Sequence, residues 1–105
     1  MVVISFYVVP IVPGAPAASA SSYVAEAVRV IKERGYKFVV TPASTVFEAP
    51  SVREGLVAVA EAVEAVLKAG AARVIAEIKV DVRVDKPLVM EEMPRKVLEK
   101  LGGGL

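Results

Sequence analysis

Residues 36–49 read YKFVVTPASTVFEA: two strand-like apolar runs, a small polar turn, and one carboxylate, Glu48, among apolar neighbours in the second run. A carboxylate so placed can be solvated at an edge or paired across an interface. It can also hold a ligand through a charge-assisted hydrogen bond, or take a proton as a general base. Side-chain alternation says which residues accompany it. Turning Phe47 inward sends Val46 and Glu48 outward, and turning Phe38 and Val40 inward sends Lys37, Val39 and Thr41 outward. In VVISFYVV (2–9), Val2, Ile4, Phe6 and Val8 read as inward, leaving Val3, Ser5, Tyr7 and Val9 outward. In one sheet, Glu48 then shares a face with Ser5, Tyr7, Lys37, Val39 and Thr41.

Composition removes most other chemistry. Histidine and cysteine are absent, which excludes Ser-His-Asp triads, Cys–His dyads, disulfides and the usual zinc sites. No Asp/Glu cluster reads as a calcium loop. A net charge of +1, from 13 basic and 12 acidic residues, and 6% aromatics give no footprint for nucleic acid. The apolar start, Met1 to Val12, lacks a basic leader and is interrupted by Pro10 and Pro13, so neither a signal peptide nor a membrane span is expected. The expectation is a soluble cytoplasmic protein. Asparagine and glutamine are missing as well as cysteine, a bias that fits a thermophile.

The elements that must position these residues follow from periodicity and punctuation. The length of 105 residues suits one domain, and 55% hydrophobic residues suffice for a packed core with apolar surface left over. VVISFYVV is a strand and PIVPGAPAASA (10–20) a loop, with Ser19 to Ser22 as candidate caps for a helix. SYVAEAVRVIKER carries Val24, Ala27, Val28 and Ile31 at helical spacing and stops at Gly35. KFVVT (37–41) and TVFEA (45–49) are strands around the TPAS turn. Ser51 and Glu54 have capping-box spacing before a helix with the stripe Leu56, Val59, Ala60, Val63, Val66 and Leu67, ended by Gly70. RVIAEIKVDVRV (73–84) alternates cleanly, with Val74, Ala76, Ile78, Val80 and Val82 on one face and Glu77, Lys79, Asp81 and Arg83 on the other. MEEMPRKVLEKL (90–101) is a short last helix, and the terminal GGGL reads as frayed.

The order is β-α-β-β-α-β plus a C-terminal helix, the order of a ferredoxin-like α+β sandwich. Both long helices lie on one face of a four-stranded antiparallel sheet, leaving the Glu48 face open. Its apolar part (Val3, Val9, Val39, Val46) suggests sheet-on-sheet packing in a dimer, with or without a ligand pocket where the faces meet.

VVPIVPG, SYVAEAVRVIKERG, YKFVVTPASTVFEA and IKVDVRVDKP, in this order, resemble the thiamine-binding protein family of small ferredoxin-like proteins, related to the YkoF-like domains. The likeness runs over about residues 3–101 and is strongest in T-P-x-x-T-x-x-E, here Thr41, Pro42, Thr45 and Glu48, followed downstream by Asp81 and Arg83. Where members usually carry a glycine near this turn, the chain has Ala43-Ser44. The resemblance implies a homodimer or homotetramer that binds thiamine or its hydroxymethyl-pyrimidine moiety near a subunit interface, with no catalysis and no cofactor. In that reading Glu48 pairs with the aminopyrimidine, and Tyr7 offers a π face to the thiazolium cation or to the pyrimidine. Ser5, Thr41, Ser44 and Thr45 supply hydroxyl partners.

Each residue also has a plainer role. Tyr7 can be packing, Thr41 and Thr45 can shape the turn, and Asp81 and Arg83 read as an exposed cross-strand or inter-subunit charge pair. Two other functions compete: a dimeric enzyme with Glu48 as general base assisted by Tyr7 or Lys37, and an oligomeric regulatory module without a pocket.

Overall fold

The computed structural model describes residues 1–14 and 20–102. Ser19 and the end of GGGL lie outside that range. The elements are β1 (Val2–Ile11), α1 (Ala20–Glu33), β2 (Phe38–Val40), β3 (Thr45–Ala49), α2 (Val52–Lys68), β4 (Arg73–Asp81) and α3 (Glu92–Lys100). The strands form one sheet in the order β2-β3-β1-β4, and every neighbouring pair is antiparallel. This is the ferredoxin-like arrangement that the element order implies.

Register decides which side chains share a face, because directly opposed residues point the same way. Ile4 stands between Phe47 and Val80, and Phe6 between Thr45 and Ile78. The even-numbered residues of β1 therefore line the side covered by α1 and α2. Phe6, Phe47, Ile4, Ile31, Val59 and Val66 are fully buried there, each worth about 1.5–3 kcal/mol of transfer free energy. Phe6 meets Phe47 edge-on at 5.8 Å, and Tyr36 stacks on Phe47 at 5.9 Å. Arg34, just past α1, reaches Glu61 of α2 at 2.6 Å.

Local signals act as their chemistry requires. Ser51 Oγ accepts from the Glu54 N–H at 3.1 Å and donates to the Glu54 carboxylate at 2.9 Å, capping α2. Gly35 and Gly70 follow α1 and α2 with φ of 77° and 117°, values that favour a residue without Cβ.

The buried face of α2 differs from the expected stripe. It consists of Gly55, Ala58, Val59, Ala62 and Val66, while Leu56 and Leu67 are 41% and 46% exposed. Small residues win this face because the helix lies close to the sheet. A Cβ on Gly55 would stand 2.3 Å from Ile4 Cδ1 and 3.1 Å from Ala49 Cβ. Helical period alone does not reveal that distance.

The two long strand predictions also shorten. β2 keeps only Phe38–Val40. β4 ends at Asp81, opposite Val3, where β1 has one residue left to pair. Arg83 then binds Asp85 rather than Asp81, at 2.5 and 2.8 Å.

Gly55→Val is expected to lower stability by about 1–3 kcal/mol through overpacking, read as a shift in the urea midpoint at constant m-value.

Candidate functional site

The open face is only partly open. After β4 the chain returns across it, and α3 stands over the β2–β3 side without burying any residue of its own. One cleft of about 580 Å³ lies between Val39 and Val46 of the sheet and Met90, Pro94 and Leu98 above them. Another of about 470 Å³ runs from Val3 and Asp81 to Leu88, Met93 and Val97. The C-terminal segment thus covers apolar sheet positions that alternation had left bare.

Glu48 holds this segment down. The residue is 5% exposed. Its Oε2 accepts from the Met90 backbone N–H at 2.9 Å, and its Oε1 lies 3.1 Å from Lys37 Nζ. Lys37 also contacts Glu91, at 2.9 and 3.1 Å to its two oxygens. A buried carboxylate needs such partners, since an unpaired one would carry its full desolvation cost. Within the chain, these contacts make a clasp between β3 and the segment that follows β4. The Glu91 carboxylate and, to a lesser degree, Glu48 raise the Lys37 pKa, and Lys37 lowers that of Glu91.

The other predicted residues separate into two groups. Ser5 Oγ donates to Ser44 Oγ at 2.9 Å, joining β1 to the turn before β3. Tyr7 donates its phenolic hydrogen to Glu77, directly opposite it on β4. That bond is the main cause of a raised Tyr7 pKa, followed by desolvation and the carboxylate charge, so Tyr7 stays a neutral donor. Ser5, Tyr7, Ser44, Glu77 and Lys79 surround one cleft of about 480 Å³.

Thr41 and Thr45 serve other ends. Thr41 Oγ1 accepts from the Ala43 and Ser44 N–H groups at 3.2 and 3.0 Å and donates to the Ser44 carbonyl at 2.9 Å. It closes the TPAS turn, as short hydroxyl side chains do. Thr45 pairs with Phe6, so it is turned to the helix side and is 4% exposed. There it lines a small cavity of about 220 Å³ with Phe6, Val24 and Ala27, and with the predicted residues Tyr7, Thr41 and Ser44 at its rim. Strand parity thus puts Thr45 on the side of the sheet opposite Glu48.

Glu77 and Lys79 are the site residues that sequence reasoning left out. Alternation put them on the outward face, but not beside Tyr7 and Ser5, because the β1–β4 register is a tertiary fact. Among the described residues, no group of three or more Asp and Glu is placed to hold a metal ion, and no helix is long and apolar enough to cross a membrane.

Two outcomes follow from the clasp. Glu48→Ala should cost about 1–3 kcal/mol, the cost of unsatisfied buried donors, and speed hydrogen exchange at the Met90 amide. The Glu91 pKa is depressed in the fold, so its contribution is present above the unfolded pKa and is lost as pH falls through the folded value. The Lys37 pKa is raised, so its contribution is present below the unfolded pKa and is lost as pH rises through the folded one. Rate-corrected protection of residues 88–102 should therefore be highest between those limits; protection unchanged below the carboxylate range would remove Glu91 from the clasp.

Comparison with known proteins agrees with this architecture. A curated UPF0045 protein of Methanothermobacter thermautotrophicus is 35% identical over 101 residues, covering 96% of this chain and all of the relative. The solved structure of a DUF77 domain from Bacillus cereus matches with a TM-score of 0.81 at 28% identity, over 94% of this chain and 91% of that one. A hypothetical protein from Methanocaldococcus jannaschii matches with a TM-score of 0.76 at 31% identity, over 97% and 96%. A candidate thiamine biosynthesis/salvage protein from Thermotoga maritima shares the fold, with a TM-score of 0.74 at 21% identity over 90% and 97%. Residues 4–98 match the family described as thiamine-binding protein, and the chain belongs to that family.

Proposed function

We propose that this protein binds thiamine, or its hydroxymethyl-pyrimidine moiety, on the open face of the sheet without transforming it, and that it does so as a homodimer or homotetramer. The observation that carries the reading is the convergence of Ser5, Tyr7 and Ser44 with Glu77 and Lys79 around one cleft. Family membership supplies the ligand class.

The chemistry suits an aminopyrimidine linked to a cationic ring. The Glu77 carboxylate accepts from an exocyclic amine and attracts the cation. Tyr7 offers its ring face, worth about 0.5–2 kcal/mol according to desolvation. The Ser5–Ser44 hydroxyl pair can rotate to donate or accept. Glu48 acts indirectly in this reading: both of its oxygens are engaged by Met90 and Lys37, so it fixes the segment bordering the face. Val9 and Ile75, opposed on β1 and β4 and both about two-fifths exposed, favour cover by another subunit.

The test is calorimetric titration of thiamine, thiamine phosphate and hydroxymethyl-pyrimidine into protein stripped of ligand. Saturable binding in the micromolar range or tighter is expected, with Glu77→Gln and Tyr7→Ala each weakening it by about tenfold, or 1.4 kcal/mol. No heat at several temperatures, with no ligand-induced rise in Tm, would overturn the reading. Equal affinity in Glu77→Gln would move the ligand elsewhere on the face.

A further inference from the structure

Lys79 is a cation without a partner. It stands opposite Ser5 in the β1–β4 register and lines the same cleft as Ser5, Tyr7, Ser44 and Glu77. Two other cations on this side of the sheet are taken: Lys37 is held by Glu48 and Glu91, and Arg95 of α3 by Glu92 and Glu99. Among the described residues, no carboxylate pairs with Lys79 and no acceptor takes a hydrogen bond from it. Glu77, two residues before it on the same face, is engaged instead by the Tyr7 hydroxyl across the strands.

A hydroxyl hydrogen beside Lys79 is also unassigned. Ser5 Oγ and Ser44 Oγ lie 2.9 Å apart and share one hydrogen bond. Whichever hydroxyl donates within the pair, the other keeps a hydrogen for a further acceptor. An ammonium and a hydroxyl donor on one cleft wall, neither with an acceptor of its own, suit an anion.

We propose that Lys79 and the Ser5–Ser44 pair receive a phosphate group, so that the preferred ligand of this face is a phosphate monoester of the thiamine-type molecule rather than its free alcohol. This rests on the thiamine-binding reading of the open face. The order of charges along β4 argues for an ester over a bare anion. Glu77 and Lys79 are two residues apart, about 7 Å at the rise of an extended strand. A molecule with an amine or cation at one end and a phosphate at the other meets both charges at once. A bare anion would face the carboxylates of Glu77 and Asp81 with nothing to offset them, and a cation lacking phosphate would face Lys79 in the same way. Phosphate suits the donors better than a carboxylate does. It carries a charge of about −1.5 to −2 at pH 7, and its three terminal oxygens can accept from ammonium and hydroxyl together.

The test compares each alcohol with its ester by titration at low salt: thiamine with thiamine phosphate, and hydroxymethyl-pyrimidine with its phosphate. At least one ester should bind about tenfold more tightly than its alcohol, or 1.4 kcal/mol. Lys79→Gln should bring that ratio to about one, and Lys79→Arg should keep it. Lys79 is exposed, so both variants should keep the wild-type melt. The preference should shrink as salt rises and the Debye length falls from about 30 Å at 0.01 M to about 3 Å at 1 M. Inorganic phosphate should compete at least about tenfold more weakly than the ester. Equal affinity within both pairs would overturn the inference and leave the thiamine-binding reading standing. A preference that survives Lys79→Gln would overturn it by placing the phosphate elsewhere. Inorganic phosphate competing as well as the ester would mark an adventitious ion only, and would overturn it too. Binding of none of the four compounds would remove the thiamine-binding reading and this inference with it.

Discussion

A four-stranded sheet covered by two helices buries one of its faces and leaves the other to be dealt with separately. That constraint organises this molecule. The even-numbered residues of β1 belong to the buried side and set the core with Phe47, Ile31, Val59 and Val66. Everything distinctive lies on the other side or at the rim. The same alternation that packs Phe6 against Phe47 obliges Ser5, Tyr7 and Val9 to stand on the far face, where β1 is a central strand flanked by β3 and β4.

The chain covers part of that face with its own C-terminal segment. The cover is light: α3 buries nothing completely, and its attachment depends on a buried carboxylate satisfied by one backbone N–H and one ammonium. Charge-assisted bonds of this kind fix geometry more than they add net stability, because desolvation offsets much of the attraction. Glu48 is therefore best understood as a positional device. It determines where residues 88–98 cross the sheet, and so how much of the face remains for a ligand or a neighbour.

What remains is a polar patch on β1, β4 and the TPAS turn beside an apolar strip at Val9 and Ile75. The β4 edge poses a separate demand, since its backbone groups and half-exposed Ile78 and Val80 face outward at the sheet's end.

Much was legible in the sequence because it depends on local rules. Strand parity assigned the two faces of β1, β3 and β4 correctly, Ser51 and Glu54 marked the start of α2, and the element order implied the ferredoxin-like sheet. Local rules also put Ser5 and Tyr7 on the outward face, and the resemblance carried by the T-P-x-x-T-x-x-E pattern pointed to the family and added Ser44. Three things were decided only in the tertiary structure. The buried stripe of α2 depends on how closely the helix approaches Ile4 and Ala49, which periodicity does not contain. The partner of Tyr7 depends on the β1–β4 register, set between residues 70 positions apart. The role of Glu48 depends on where the chain goes after β4, because a carboxylate among apolar neighbours signals that a partner is needed but not which one. Sequence patterns determined the faces, and packing distance, register and chain path determined what each face meets.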